Sequence, residues 1–186
     1  FMEAYDPTAA YSSIDRNGRY AYQNQPAIAQ WNLARLAETL LPLLSPDSDT
    51  AVALASERLN QFETTYREYW LEEMRKKLGL LTQQVSDADL IERWLSMLQG
   101  QQIDFTQAFY ALSNQIENNE AAVNRHTASD NEINLLKLAK NEDEMMTWLN
   151  AWRARCNEED ALNAYGVNVQ SRLKQMDAAN PWIIPR

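Results

Sequence analysis

The amino-acid sequence predicts an all-α fold, and three observations support this. The 186 residues include only four glycines, Gly18, Gly79, Gly100 and Gly166, which is too few for the tight turns of a sheet-rich fold. Leu, Ala, Gln, Glu and Asn are abundant, and most of these residue types are good or neutral helix formers. Apolar side chains recur at spacings of three and four from residue 26 onward, which is typical of helices with one buried face.

Residues 1–25 are predicted to form an extended arm ahead of the helices. Asp6-Pro7 and Asn17-Gly18 are turn signals within it. The arm is rich in aromatic residues, which are Phe1, Tyr5, Tyr11, Tyr20 and Tyr22. Because so many aromatic side chains favour burial, we expect the arm to lie across the helical body or across a partner domain.

The first helix is predicted to start near Pro26 and to be ended by Pro42 and Ser45-Pro46. Asn24 is placed to act as its cap, and a proline is tolerated in the first turn. The apolar positions of this helix are Ile28, Trp31, Leu36 and Leu40. They share one face at helical spacing.

A second and very long helix is predicted from about residue 47 to Gly79. Its apolar stripe consists of Val52, Ala55, Leu59, Phe62, Tyr66 and Tyr69. The basic run Arg75-Lys76-Lys77 lies in the last turn, where cations complement the helix dipole. Gly79 is a residue type that commonly terminates helices.

Two further helices are predicted in the middle of the chain. One follows residues 86–89, a start resembling a capping box, and closes at Gly100. The next begins near Asp104 or Thr106. Residues 117–131 are polar and are expected to form a loop.

Three helices are predicted in the remaining chain. A short one covers roughly residues 130–140, and the next starts at Asn141, with acidic residues in its first turn. The last covers residues 161–176 and is weakened by Gly166.

The charge and hydropathy patterns argue against nucleic acid and membranes as partners. The net charge of −9 repels phosphate backbones and anionic membranes. The longest apolar run, near residues 40–44, is too short to span a bilayer. The first residues lack the features of a signal peptide, so we expect a cytoplasmic location in a bacterium, or a mitochondrial location if the source is eukaryotic. Because the chain opens on Phe1 and stops at Arg186, we expect both ends to be cut from a longer protein.

The motifs of common active sites are absent from the sequence. It contains neither a G-x-G-x-x-G nor a G-x-x-x-x-G-K-[ST] pattern. The single histidine, His126, has polar neighbours and is expected to be a surface residue. Cys156 is the only cysteine, so no intrachain disulfide can form. Arg153 and Arg155 precede Cys156, and neighbouring cations lower the pKa of a thiol, but no acid–base partner for catalysis is evident.

Two other residue patterns have both a functional and a structural interpretation. Acidic runs at residues 72–73, 142–144 and 158–160 are interpreted as helix starts and solvated faces, although a carboxylate metal site is an alternative. The Met and Trp side chains of the sixth predicted helix are interpreted as core rather than as a ligand groove. These side chains are Met145, Met146, Trp148 and Trp152.

Short motifs near both ends of the chain resemble those of one family. They are Asp6-Pro7, Gly18-Arg19-Tyr20, Asn24-Gln25-Pro26, Trp31-Asn32-Leu33 with Arg35-Leu36-Ala37, and Asn180-Pro181 with Arg186. In this order they resemble the region that follows the metal-binding motif in the selenoprotein O (SelO/YdiU) family, together with that family's Asn-Pro-x-x-x-x-Arg-Asn-His element. Residues 45–178 match only in helical character and length.

The resemblance implies a protein-kinase-like fold that transfers AMP rather than phosphate. In the family, ATP binds in a flipped orientation with Mg²⁺ or Mn²⁺, and AMP is attached to Ser, Thr or Tyr hydroxyls of proteins. The family's ATP-binding, metal-binding and catalytic residues belong to segments upstream of Phe1. The resemblance therefore implies no catalytic, cofactor or metal residue in this chain, and it implies structural roles for the motif positions given above.

The resemblance also divides the chain into two parts. Residues 1–25 correspond to an activation-loop-like region, and residues 26–186 correspond to the C-lobe with a helical C-terminal extension. The expected partners are the upstream kinase-like core of the same protein and the protein substrates of AMP transfer. On this hypothesis an exposed apolar surface lies near the arm and the first helix. A stand-alone helical protein-interaction module is the alternative, and it predicts no large uncovered patch.

Overall fold

A computed structural model describes residues 3–116, 135–162 and 166–181, and it confirms the all-α fold class. The helices within these ranges are α1 (Gln25–Leu44), α2 (Ser48–Asn60), α3 (Phe62–Leu78), α4 (Asp87–Gln101), α5 (Phe105–Ser113), α6 (Leu135–Leu138), α7 (Glu142–Ala161) and α8 (Val169–Ala179). A 3₁₀ turn, Tyr22–Asn24, precedes α1. In the described residues the only β-type pairing is an isolated bridge between Ala4 and Asp104.

The chain forms two compact units. The arm–helix unit is Asp6–Trp70, and the core unit comprises the described residues of Phe1–Tyr5 and Leu71–Arg186. The boundary between the units falls inside α3. The division of the chain at residue 25, which came from the family resemblance, concerns correspondence with a larger fold and stays a prediction.

Aromatic packing between helices builds the centre of the core unit. The Trp94 and Trp148 rings lie 4.3 Å apart between centroids, and Phe109 meets Trp94 edge-on at 5.7 Å. The indole N–H groups of Trp148 and Trp152 donate to the carbonyls of Leu90 and Leu78, at 2.9 and 2.8 Å. The Trp148 and Trp152 indoles therefore bury a large apolar surface without leaving their polar atoms unpaired, whereas Trp94 Nε1 is buried without a hydrogen-bond partner among the described residues.

The first described residues pair with the segment ahead of α5. The Tyr5 N–H donates to the Ile103 carbonyl at 3.1 Å, and the Phe105 N–H donates to the Glu3 carbonyl at 2.8 Å. The Tyr5 ring stacks on Phe105 at 5.6 Å. This part of the arm is thus held on the core unit by both backbone and aromatic contacts.

Several helix starts agree with the sequence prediction. Asp104 caps α5 by accepting from the Gln107 N–H, and Asn141 caps α7 by accepting from the Glu144 N–H. Gly79 follows α3 with φ +70°, the left-handed conformation that glycine favours.

The first two predicted helices end where expected, but each differs from its prediction at one interior position. α1 continues through Pro42 and ends at Leu44, with Ser45 as its C-cap, so of the two predicted stop signals Pro42 was wrong and Ser45-Pro46 was right. The Ser45 N–H bonds to the Leu41 carbonyl. The long second helix is two helices, since Gln61 ends α2 with its N–H donating to the carbonyls of both Arg58 and Leu59.

Two glycines were also assigned the wrong roles. Gly100 lies inside α4, and Gln102 takes the left-handed C-cap position at φ 56°. Gly166 lies between helices rather than inside one, with φ +84°, and α8 begins only after a capping box formed by Asn168 and Ser171. Of the predicted helix 130–140, only Leu135–Leu138 is described as helical. His126, Arg186 and the predicted loop 117–131 lie outside the described residues.

Candidate functional site

The loop that carries the Gly18-Arg19-Tyr20 motif is closed by one carboxylate. Asp15 Oδ1 accepts from the Arg19 N–H at 2.9 Å, and Asp15 Oδ2 accepts from the Tyr20 N–H at 2.7 Å. Gly18 adopts φ +65°, which lets the backbone turn between the carboxylate and the two amides. Sequence reasoning missed Asp15; the Asp-Arg-Asn-Gly sequence, typical of an Asx-type turn, was the available signal.

The Asn24-Gln25 amides hold the same loop from its C-terminal side. Asn24 Nδ2 donates to the Gly18 carbonyl at 2.8 Å, and Gln25 Nε2 donates to the Tyr20 carbonyl at 2.6 Å. Asn24 occupies the N-cap position of α1, but its side chain makes no capping hydrogen bond. Its expected role as a cap was wrong, because Asn24 has helical backbone angles, φ −89° and ψ −7°, whereas a capping residue has an extended backbone.

The Asp6-Pro7 motif forms a second set of turns in the arm. Asp6 Oδ1 accepts from both the backbone N–H and the hydroxyl of Thr8, at 2.8 and 2.7 Å. These hydrogen bonds lower the pKa of Asp6 from its ordinary value of 3.8. The Pro7 carbonyl accepts from the Gln23 N–H at 2.9 Å, so the Asp6-Pro7 turn is tied to the start of α1.

Two cationic side chains contact the Trp31 ring on the surface of α1. The guanidinium carbon of Arg19 lies 4.8 Å from the indole centroid, and that of Arg35 lies 5.5 Å away. Arg35 also pairs with Glu38 at 2.6 Å. The indole is about half exposed, at 48%, so these are surface cation–π contacts of modest strength. Three motif positions, Arg19, Trp31 and Arg35, are thereby brought together, whereas Asn32 remains exposed on the helix.

An open apolar groove lies within the arm–helix unit, between α1, α2 and the first part of α3. Its volume is about 760 Å³. The apolar side chains that line it include Leu33, Leu36, Leu40, Leu44, Leu54, Leu59, Phe62, Tyr66 and Tyr69. Glu57 and Arg58 are the charged residues of the lining. The groove agrees with the prediction of an exposed apolar surface near the first helix.

The C-terminal motif residue Asn180 is fixed against α3. Asn180 Nδ2 donates to the Lys77 carbonyl at 2.8 Å, and Lys77 Nζ donates to the Ala179 carbonyl at 2.8 Å and to Asn180 Oδ1 at 3.3 Å. Burial lowers the pKa of Lys77. Pro181 follows on the surface. Lys77 was expected only to complement a helix dipole, and the tertiary structure gives it this second role.

The acidic run 158–160 is not simply a solvated face. Glu159 is fully buried, and its carboxylate accepts from the N–H groups of Leu81 and Thr82, at 3.1 and 2.9 Å. It also pairs with Arg155 and Arg172, each at 2.8 Å. The structural interpretation of this run therefore needs correction, because Glu159 is an internal counter-charge.

Asp87 forms the other half of this ionic cluster. It is fully buried and accepts from Arg75 Nε and Arg155 Nε, each at 2.8 Å, and from the Gln84 N–H at 2.8 Å. Together, Asp87 and Glu159 anchor the segment between α3 and α4. Within the described residues, no three or more His, Cys, Asp or Glu side chains form a group that could hold a metal ion.

The environment of Cys156 differs from the sequence expectation. Burial raises the pKa of its thiol to about 12, despite the opposing charges of Arg172 and Arg155. Arg155 does lower this pKa, as the sequence indicated, but the effect of burial is larger, so the net shift is upward. Met145, Trp148 and Trp152 are buried, which confirms that they belong to the core.

Comparison with known proteins identifies the family. The sequence model of the protein adenylyltransferase SelO family matches residues 1–186. The chain belongs to the SelO family. The chain is 42% identical over 186 residues to the protein nucleotidyltransferase YdiU of Rhizobium rhizogenes, covering all of this chain and 34% of the relative. The corresponding protein of Alkaliphilus metalliredigens is 41% identical over the same length, which is 33% of that relative.

The SelO-family chain therefore spans about a third of the length of the curated relatives it matches. Its motif residues occupy three places in the described structure. The first is the loop of residues 15–20 that Asp15, Asn24 and Gln25 hold, here called the braced loop, together with the start of α1. The others are the Asp6-Pro7 turn and the junction of Asn180 with Lys77. In the helices that the structure describes, none is both long and apolar enough to cross a bilayer.

Proposed function

We propose that this chain is the C-terminal part of a SelO-type protein adenylyltransferase, and that the intact protein transfers AMP from ATP to Ser, Thr or Tyr hydroxyls of proteins. The observation that carries the proposal is the family match along the whole chain. Identity near 40% to proteins named protein nucleotidyltransferase supports it. Since the chain covers only a third of those proteins, the activity is proposed for the parent protein.

In the proposed reaction, a protein hydroxyl attacks the α-phosphorus of ATP. A new oxygen–phosphorus bond forms, the hydroxyl proton is released to solvent, the bond between the α- and β-phosphoryl groups breaks, and pyrophosphate leaves with the displaced electron pair. Mg²⁺ or Mn²⁺ would stabilise the charge that develops on the phosphoryl oxygens. We assign ATP and metal binding to the upstream kinase-like core of the same polypeptide, and a cytoplasmic location to the parent.

The role proposed for this chain is that of a scaffold for the catalytic part. The braced loop supports this role, since Asp15, Asn24 and Gln25 direct their polar atoms to backbone groups of the loop. Side chains used in this way fix a loop conformation and do not carry chemistry themselves. Arg19 and Tyr20 would then be presented to the catalytic part in one defined geometry.

Incubation with ATP labelled on the α-phosphate tests the proposal. The purified 186-residue chain and the same chain extended upstream to the full parent are each given Mg²⁺ or Mn²⁺, with a mixture of candidate protein substrates. Label transfer by the extended protein alone is the expected result. Transfer by the short chain would place the active site within it. Absence of transfer by a folded, ATP-binding parent would refute nucleotidyl transfer.

The alternative function is a stand-alone helical protein-interaction module. The open apolar groove argues against it, because such a module is expected to have no large uncovered apolar patch. It requires the chain to act without the rest of the parent, as a folded protein with a specific ligand. A third candidate, a carboxylate metal enzyme, requires metal in the purified chain, which elemental analysis measures directly.

A further inference from the structure

α1 is apolar, yet it buries none of its residues in the described structure. Its 20 residues include Leu33, Leu36, Leu40 and Leu44, which remain 41%, 54%, 39% and 44% exposed. By contrast, the shorter helix α4 buries seven of its residues. An amphipathic helix normally gains its stability from the burial of one face. The apolar face of α1 therefore needs a covering element.

The groove beside α1 has a lining that suits a packed helix. Its walls come from three helices, and its volume of about 760 Å³ is open to solvent. Leu33, Leu36, Leu40 and Leu44 repeat at spacings of three and four, so they form one continuous row along α1. Contiguous apolar surfaces of this kind mark interaction sites rather than ordinary protein surface.

The lining is less suited to a small polar ligand or to a charged peptide. Glu57 and Arg58 are adjacent and opposite in charge, so the lining charges favour neither an anionic nor a cationic ligand. Small-molecule sites add a few convergent polar groups to an apolar cavity. Here the lining is dominated by Leu, Ala and aromatic side chains, which matches the apolar face of a packed helix.

We infer that the groove of the arm–helix unit is the seat for an apolar helix from the remaining two-thirds of the parent polypeptide. This inference rests on the proposed function for the existence of an upstream part. The relatives are much longer than this chain. The chain is matched from end to end, but it covers only 33–35% of each relative. The covering helix thus belongs to the same polypeptide, and the contact holds the catalytic part against the braced loop.

Thiol labelling of the full-length parent tests this assignment. Leu36→Cys and Leu40→Cys are made separately in the groove, and Leu43→Cys is the matched control on the same helix. Leu43 is 81% exposed and does not line the groove. Other reactive cysteines are replaced by Ser, whereas buried Cys156 is kept. Circular dichroism verifies that each variant is folded, and labelling in denaturant gives the intrinsic reactivity.

We expect the Leu36→Cys and Leu40→Cys thiols to label at least about tenfold more slowly than the Leu43→Cys thiol, as in a surface closed by stable packing. The protection should not change with protein concentration. Labelling of all three thiols at equal rates would overturn the inference. Protection that grows with concentration would assign the groove to a second copy and would also overturn it. Because labelling does not require AMP transfer, failure of the proposed activity is a separate result.

Discussion

Arg172 Nη1 lies 2.8 Å from Glu159 Oε2, and both side chains are almost completely buried. The two residues join α7 to α8, and the carboxylate also receives the backbone N–H groups of Leu81 and Thr82. Because a buried ion pair is costly to desolvate, it is tolerated only when both charges are fully paired and hydrogen-bonded. Loss of either charge leaves its partner buried and uncompensated.

Glu159→Gln tests this interaction. We expect a loss of about 3–5 kcal/mol in the free energy of unfolding, which is typical when one partner of a buried pair is neutralised. Glu38→Gln is the matched control, because its exposed pair with Arg35 should contribute at most about 1 kcal/mol. Urea unfolding monitored by tryptophan fluorescence gives both values. Equal losses for the two variants would contradict a special role for Glu159.

The same carboxylate makes stability depend on pH. Burial alone would raise the pKa of Glu159, but hydrogen bonds from Leu81, Thr82 and Arg172 bring it below the ordinary value of 4.5. A lowered folded-state pKa contributes stability that is present above pH 4.5 and lost as the pH falls through the folded-state value. Urea unfolding from pH 6 downward should show this decline. Glu159→Gln should show a shallower decline, and an unchanged slope would argue against the assignment.

Gly79 is predicted to resist substitution for two reasons. Its φ is +70°, and a Cβ atom would lie 2.6 Å from Met176 Sδ and 2.8 Å from Arg172 Cγ. Gly79→Ala should cost about 1–2 kcal/mol for the left-handed backbone alone, with further loss from the contacts. Gly100→Ala is the control, since it lies in α4 with nothing within 4 Å, and it should stabilise by about 0.5–1 kcal/mol. Denaturant midpoints compare them, and changes of the same sign would contradict this explanation.

Cys156 is predicted to be chemically inert in the folded protein. Its thiol pKa is raised to about 12 by burial, so almost no reactive thiolate is present at neutral pH. A thiol reagent at pH 7.5 should leave the native chain unmodified and modify it fully after denaturation. Rapid labelling under native conditions would show that the thiol is accessible and ionised.

Asp15 is predicted to determine the order of the braced loop. Asp15→Ala removes the acceptor for the Arg19 and Tyr20 amides, which is worth about 1 kcal/mol per hydrogen bond. Hydrogen exchange at residues 19 and 20 should become faster, and AMP transfer by the parent should slow while ATP binding is kept. Asp49→Ala, in the first turn of α2, is the control. Unchanged exchange at both amides would contradict the brace.

Sequence patterns predicted best the features that depend on residues adjacent in the chain. The helix starts near Asp104 and Asn141 and the helix end at Gly79 follow from neighbouring residues, so they were predicted correctly. Pro42 and Gly100 misled because a single residue weakens a helix by an amount that its surroundings can offset. The family motifs were visible in the sequence, but Asp15, which holds one of them, acts through a loop geometry that the motif does not show.

The sequence by itself determined the helical class, most helix starts and the family, because these depend on local preferences and on residues read in order. Only the tertiary structure decided which charges are buried. Glu159, Arg172 and Asp87 look like surface residues of amphipathic helices, and they become an internal cluster because contacts across 13 to 78 residues of chain bring them and the α3–α4 segment together. Likewise, the leucines of α1 look like core residues, and only packing reveals that their apolar face lies open in the arm–helix unit.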